Sequence, residues 1–331
     1  MAVGIGIVGC GRVVERRIAP AVREADNAEL VAFCSRNLDR ACQFRDQHGA
    51  DRAYDALVEM LDDPDVHAVY VGTPNSVHAV EVLDCLAGGK HVLVDKPMAP
   101  TAAQCREMIE SANRRRLTLG VLHQQRFHPA NQQLARWIEE GRLGKLTMVR
   151  IGMGVWYPPA ETWRLEPRQS GGGVAMDLGP HAIDILRQLA GEVASVNAMT
   201  ANVQFHYEVE DFCAARLAMD EGPVGLLDLS YCSHAYGGRV EVYGSEASAA
   251  ADGSMQQIGD YRLWFRRGNT SNPVELVEDR FEGAYTAAIE EFADAIDQRR
   301  APAVTAADGL ATLEVIEAIY ESARTGQTVS L

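Results

Sequence analysis

From the amino end to Leu122, short apolar runs rich in β-branched side chains alternate with longer segments whose apolar positions recur every three or four residues. The runs are "VGIGIV", "LVAFC", "VHAVYVG", "HVLVD" and "LTLGVL", the pattern of parallel strands joined by crossover helices. Between them "DALVEMLDD" and "SVHAVEVLDCLAGG" carry helical spacing, and the second ends in glycines of the kind that terminate helices. The expectation is a doubly wound α/β domain.

After the helix-like "PANQQLARWIEEGRLG" the texture changes. The stretches "KLTMVRIGMGVWY", "VASVNAMTANVQF", "FCAARLAMD", "VGLLDLSYCS" and "RVEVYGS" alternate in character and mostly follow one another through short Gly, Pro or Asp turns. That predicts a largely antiparallel sheet and an α+β class. "YTAAIEEFADAIDQRR" and "AADGLATLEVIEAIYESART" read as two late helices, and "RRGNTSNP" as an exposed loop. The alanine-rich stretch around Ala249 is too short to count as low complexity. At 331 residues the chain exceeds what one core comfortably holds. The expected division is a dinucleotide-binding domain over 1–123 and an α+β substrate-binding and oligomerisation domain over 124–331.

A formal charge of −15 argues against nucleic acid and anionic lipid as partners, since both are bound through basic patches. The one dense basic stretch, "ANRRRLTLG", reads as a cationic cap on a helix C-terminus. No run approaches the ~18 apolar residues of a membrane span, and no basic leader precedes the first strand. Seven cysteines without a CxxC pair suit neither a disulfide framework nor a zinc ribbon, which fits a cytoplasmic location.

The first strand runs into Gly9-Cys10-Gly11-Arg12-Val13-Val14 and then a helix. A tight turn at Gly9 and a bare backbone at Gly11 let a pyrophosphate approach the helix N-terminus, where amides and dipole favour an anion. Val14 stands where that pattern asks for Gly or Ala, a position that serves helix packing rather than phosphate contact. The second strand ends in Cys34-Ser35-Arg36-Asn37, with no carboxylate to hold a ribose 2′-hydroxyl. Ser35 and Arg36 suit a 2′-phosphate, so NADP(H) is favoured over NAD(H).

Lys96, before Pro97 in "HVLVDKPMAPT", falls where the fifth strand ends, in the crevice where open α/β sheets bind ligands. In "GGGVAMDLGPHAID", Asp177 and His181 lie four residues apart, and Gly179-Pro180 should start or kink a helix. In the first turn of such a helix the dipole disfavours an imidazolium while Asp177 favours it, a balance that suits an acid/base group. The three glycines are expected to let backbone approach something bulky, such as a cofactor or sugar. A metal is not expected, because no second histidine stands at ligand spacing.

These motifs, in this order, resemble the Gfo/Idh/MocA oxidoreductases along nearly the whole chain: strand-GxGxx-helix, "GTPNSVHAVEVLDCLAGGKHVLVDKP" and "GGGVAMDLGPHAID". The resemblance implies a Rossmann domain and a substrate domain built on an open sheet, with Lys96, Asp177 and His181 lining the active site. Asp95 replaces the family's usual Glu. Thr73, Pro74 and Asn75 correspond to its nicotinamide-side loop, with His78 one turn on, and Gln124 and Arg126 to the segment reaching the site after the sixth strand. "WYPPAETWRLEPRQSGGG" is similar to the corresponding stretch of 1,5-anhydrofructose reductases, which implies that Trp163 and Arg164 approach nicotinamide or substrate. The resemblance also implies a carbohydrate or polyol substrate and a homodimer or homotetramer formed through sheet faces. Two other functions known in the superfamily are an NAD-retaining glycosidase and a non-catalytic nucleotide-binding sensor; the intact Lys, Asp and His argue against the sensor.

Overall fold

The computed structural model describes residues 2–331 apart from 235–237, 269 and 271. Asn269 and Ser271, within the expected loop, lie outside the described residues. The chain divides into two compact units, one of Met1–His123 with Tyr285–Ala311 and one of Gln124–Ala284 with Thr312–Leu331.

In the first unit six parallel strands form one sheet: β1 (Val3–Val8), β2 (Ala28–Cys34), β3 (Arg52–Tyr54), β4 (Ala68–Val71), β5 (His91–Val94) and β6 (Leu119–Val121). Their order is β3-β2-β1-β4-β5-β6, the doubly wound arrangement whose switch point lies between β1 and β4. Every residue of β1 is buried, as befits a strand covered by helices on both faces. β3 had no apolar run to announce it: Arg52 is held by Asp63 and Asp65, and Tyr54 donates to Asp63 at 2.8 Å.

The helix Ala284–Asp297, counted from sequence with the second domain, packs for most of its length on the first unit. Asn27 donates to the Glu290 carbonyl and to the Asp294 carboxylate, and Gly120 of β6 leaves room for Phe292, whose ring a Cβ there would approach at 3.2 Å. The stretch 285–311 therefore completes the first unit.

The second unit is built on nine strands. They are β7 (Leu146–Gly154), β8 (Val193–Ala201), β9 (Phe212–Met219), β10 (Val224–Ser230), β11 (Arg239–Gly244), β12 (Ala247–Asp252), β13 (Gly259–Arg267), β14 (Glu275–Phe281) and β15 (Val329–Ser330). The order is β14-β13-β12-β11-β7-β10-β9-β8-β15, and only the β7–β10 pair is parallel. Helices cover one face: Gly179–Ala190 lies on β7 and β10, and Pro129–Glu139 on β12 and β13. The other face carries a ladder of charges in which Arg150 meets Asp228, and Arg239 meets Glu241 and Asp252.

β12 is the alanine-rich stretch. Alanine favours helix, but here tertiary pairing decides: Ala249, Ala250 and Ala251 sit buried between β11 and β13, and the small side chains of Ala249 and Ala251, on the face away from Glu241, admit the helix packed there. Among the described residues no helix is long and apolar enough to cross a membrane.

Candidate functional site

Each unit carries its own cluster. In the first, Gly9 follows β1 with φ +97°, and a Cβ there would come within 2.8 Å of the Gly72 carbonyl oxygen, so only glycine serves. At Gly11 a Cβ would meet nothing within 4 Å: the backbone faces open space, as a phosphate cradle requires. The helix begins with Glu15 N bonded to Gly11 O, so the amides of Arg12, Val13 and Val14 fall in the first turn, whose N–H groups have no intrahelical acceptor.

Val14 is accommodated by a second glycine. A Cβ at Gly72 would stand 3.0 Å from Val14 Cγ2, so the bulk that the motif omits at position 14 is omitted at 72 instead. The helix opens with a π-helical turn over Val14–Ile18. The loop thus fits a dinucleotide pyrophosphate despite the departure.

Ser35 and Arg36 follow directly on β2, Arg36 exposed, and Asn37 caps the next helix by accepting from Arg40 N at 3.0 Å. Sequence reasoning passed over Arg40 itself. Its Nε donates to the Cys10 carbonyl at 2.7 Å, which brings a guanidinium against the glycine loop. Its spacing, one helical turn beyond Arg36, was the available signal. Burial pushes the Cys10 thiol up to about 11 and the Cys34 thiol up to about 12, so neither is a thiolate at neutral pH.

Lys96 follows β5, and its backbone N–H donates to Asp95 Oδ1 at 2.8 Å. The Lys96–Pro97 peptide is cis. His78, fully buried, spans two carbonyls: Nε2 lies 2.9 Å from Thr73 O and Nδ1 3.0 Å from Pro97 O. The imidazole thereby ties the Thr73-Pro74-Asn75 loop to the loop bearing Lys96. Burial holds its pKa below the usual histidine value, against the opposing pull of Asp95 and the carbonyls. Thr73 Oγ1 donates to Glu81, whose carboxyl burial pushes up.

In the second unit Asp177 ends the short helix Val174–Asp177, Leu178 links, and His181 lies in the first turn of Gly179–Ala190 beside Pro180. Tyr231 donates to Asp177 Oδ2 at 2.8 Å, and Arg164 Nε lies 3.8 Å from Oδ1. Burial, then Asp177, pushes the Tyr231 phenol well up, so it stays a donor. Tyr231 in turn stacks on Tyr157 with centroids 5.2 Å apart. Arg164 lies over the Trp163 ring at 4.5 Å, which joins the Trp-Arg pair to the Asp177 cluster. Asp177 keeps 25% of its side-chain exposure and Arg164 30%, enough to meet a ligand.

The glycines serve a different end from the one expected. A Cβ at Gly172 would lie 2.0 Å from the Tyr320 hydroxyl and one at Gly173 2.1 Å from Glu210 O. They admit the protein's own side of the site rather than a ligand. Glu210, which nothing in the sequence reading marked, accepts from the amides of Gly173 and Ala175 at 3.0 Å each and from Tyr320 at 2.9 Å. It holds the turn that presents Asp177.

Asp184 is wholly buried and is gripped by the fork of Arg126, with Nη2 at 2.6 Å from Oδ1 and Nε at 2.9 Å from Oδ2. That engagement makes Arg126 a clamp on the helix that carries His181. Gln124, at the start of the same short turn, is 2% exposed.

Two family models match the chain: one described as "Oxidoreductase family, NAD-binding Rossmann fold" over residues 3–123, and one as "Oxidoreductase family, C-terminal alpha/beta domain" over 135–331. Among similar proteins, the 1,5-anhydro-D-fructose reductase of Ensifer adhaerens is 29% identical over 98% of both chains. D-xylose 1-dehydrogenase (NADP(+)) 2 of Haloferax volcanii is 28% identical over 98% of this chain and 99% of its own. The crystal structure of aldose-aldose oxidoreductase from Caulobacter crescentus complexed with glycerol superposes with a TM-score of 0.93 at 30% identity, covering 100% of both chains.

Proposed function

Since the chain belongs to the Gfo/Idh/MocA oxidoreductase family, we propose that it is a cytoplasmic, NADP(H)-preferring enzyme that interconverts a ketone and a secondary alcohol on a sugar, anhydrosugar or polyol. The observation that carries this reading is the pinned carboxylate of Asp177. Fixed by Tyr231 and flanked by Arg164, it is an oriented acceptor four residues before His181 in sequence, and a carboxylate with an imidazole is the equipment for handling a hydroxyl proton. The three relatives are all named for sugars, which supports a carbohydrate substrate.

When bound, the nicotinamide supplies or takes up the hydride. Gly9, Gly11, Arg12 and Val13 hold the pyrophosphate, Ser35 and Arg36 the 2′-phosphate, and Thr73, Pro74, Asn75, Asp95 and Pro97 shape the nicotinamide side, with His78 locking the last two loops together. Lys96 donates to the oxygen on the reacting carbon and so favours its negative charge. His181 gives or receives that oxygen's proton, and Asp177 orients the histidine or accepts from a neighbouring hydroxyl. Trp163 offers an apolar face to a sugar ring and Arg164 donates to its oxygens, whereas Gln124, 2% exposed, is too buried for the direct substrate contact that the resemblance implies. Arg126, its fork taken by Asp184, acts by placing the helix of His181. The family resemblance is the ground for proposing that copies pair through faces of the nine-stranded sheet into a homodimer or homotetramer.

The test is NADPH and NADH oxidation over a panel of ketoses, 1,5-anhydrofructose and inosose, with the reverse reaction on the alcohols, in the wild type, Lys96→Ala and His181→Ala. Both variants should lose turnover by about 10²-fold or more while NADPH still binds. Wild-type turnover in either removes the assignment. Stoichiometric retained NAD with no net reduction of any ketose points instead to glycosidase chemistry.

A further inference from the structure

The amino ends of β5 and β6 lie at the opposite end of the parallel strands from the glycine loop and Lys96, which follow carboxyl ends. There the first unit contains a cavity of about 660 Å³. His91 and Leu119, the first residues of those strands, form part of its wall; the end of the helix Ala102–Arg115 and the segment 296–307 supply the rest.

Its charge is opposite to that of the molecule. Arg116, Arg299 and Arg300 line it, and no Asp or Glu does, in a chain whose formal charge is −15. Arg300 is already paired with Glu291 and with Gln298, but Arg116 and Arg299 have no carboxylate partner among the described residues. The other arginines of the basic stretch are occupied: Arg114 pairs with Glu110, and Arg115 donates to Ser111. Thus the stretch that reads in sequence as a helix cap leaves one guanidinium over, and that one faces the cavity.

The backbone makes the same point. Among the described residues only two that are not glycine have a positive φ, Arg116 at 56° and Arg299 at 54°, and both line this cavity. Each sits where glycine is the ordinary choice. Arginine at both positions keeps a guanidinium where a bare turn would have sufficed. Between the charges the wall is apolar, with Leu117, Leu119, Ile296 and Pro302. The helix Ala306–Thr325 also begins here, but Asp308 already accepts from Thr305 N and Oγ1, so the arginines supply the anion-binding groups.

We propose that this cavity is a second ligand site, separate from the dinucleotide loop, that takes a small organic phosphate with an apolar or aromatic body. Arg116 and Arg299 grip the phosphate by paired N–H donors, and the body lies against Leu117, Leu119 and Ile296.

The test uses the full chain with phenyl phosphate and with inorganic phosphate, by calorimetry and by amide hydrogen exchange. Phenyl phosphate should bind more tightly than inorganic phosphate, and should slow exchange over 113–119 and 299–307 but not over 9–14. The double variant Arg116→Gly, Arg299→Gly should weaken binding at least about tenfold. Glycine suits a left-handed backbone, so this variant keeps its fold, and the exchange map needs no variant at all. Equal affinity for the two phosphates, meaning an adventitious ion only, would overturn the proposal. So would unchanged binding in the double variant, or protection confined to 9–14.

Discussion

The hydroxyl of Tyr231 donates to Asp177 Oδ2 at 2.8 Å, from a phenol that is itself 1% exposed. A bond from a buried donor to a quarter-exposed carboxylate fixes the direction of the carboxylate without removing it from solvent. Tyr231→Phe should therefore lower kcat about tenfold, the equivalent of about 1.4 kcal/mol, while changing the melting temperature little. Steady-state kinetics beside a thermal melt decides it; an unchanged kcat would show that Asp177 needs no such anchor.

The proposed preference for NADP(H) is tested at Ser35. A carboxylate there would meet a ribose hydroxyl favourably and a 2′-phosphate unfavourably. Ser35→Asp should weaken NADPH by about 10²-fold relative to NADH, a ratio read by fluorescence titration of both. If the ratio stays put, the discriminating contact lies elsewhere, and Arg40 is the next residue to change.

Two glycines make opposite predictions. Gly11→Ala puts a methyl into open space, so the protein should melt normally yet bind NADPH at least about tenfold more weakly, because the methyl stands where phosphate must approach. Gly173→Ala drives a methyl to 2.1 Å from the Glu210 carbonyl oxygen and should cost about 3 kcal/mol or more. Denaturant midpoints and binding titrations on the two variants separate folding from function.

His128 ties stability to pH. Its Nδ1 accepts from Ala130 N at 3.2 Å, capping the helix Pro129–Glu139, and its ring meets Tyr261 and Phe281 edge-on. Burial lowers its pKa to about 4. The unfolded chain therefore takes up the proton first, so this contribution is whole above about pH 6.5 and is lost as pH falls toward 4, by up to about 3 kcal/mol. His128→Asn, which can still cap the helix, should flatten that part of the stability curve. A wild-type slope in urea titrations of the variant between those pH values would assign the proton uptake to another group.

The first unit was largely legible because its signals are local. Buried parallel strands are continuous apolar runs, and "VGIGIV" coincides with β1 to the residue. The glycine loop, Lys96 after β5, and the Asp177–His181 joint could all be placed from spacing. What escaped depends on partners far away in sequence. β3 is polar and owes its place to Asp63 and Asp65, and β12 is made of a helix-favouring residue that the neighbouring strands conscript. Glu210 and Tyr231 belong to the site only because the sheet brings them to the turn at 173–177, 37 and 54 residues from their partners Gly173 and Asp177. Gly172 and Gly173 differ from the expectation for the same reason, since the Tyr320 and Glu210 atoms they make room for lie far along the chain.

The return of the stretch 285–311 to the first unit bears on how the protein is made. As the chain leaves the ribosome, β1 to β6 emerge early, but the cover for Gly120 and the acceptors for Asn27 come from Phe292, Glu290 and Asp294, most of the second unit later. The nucleotide-binding sheet must wait for this part of its cover until most strands of its neighbour have been made.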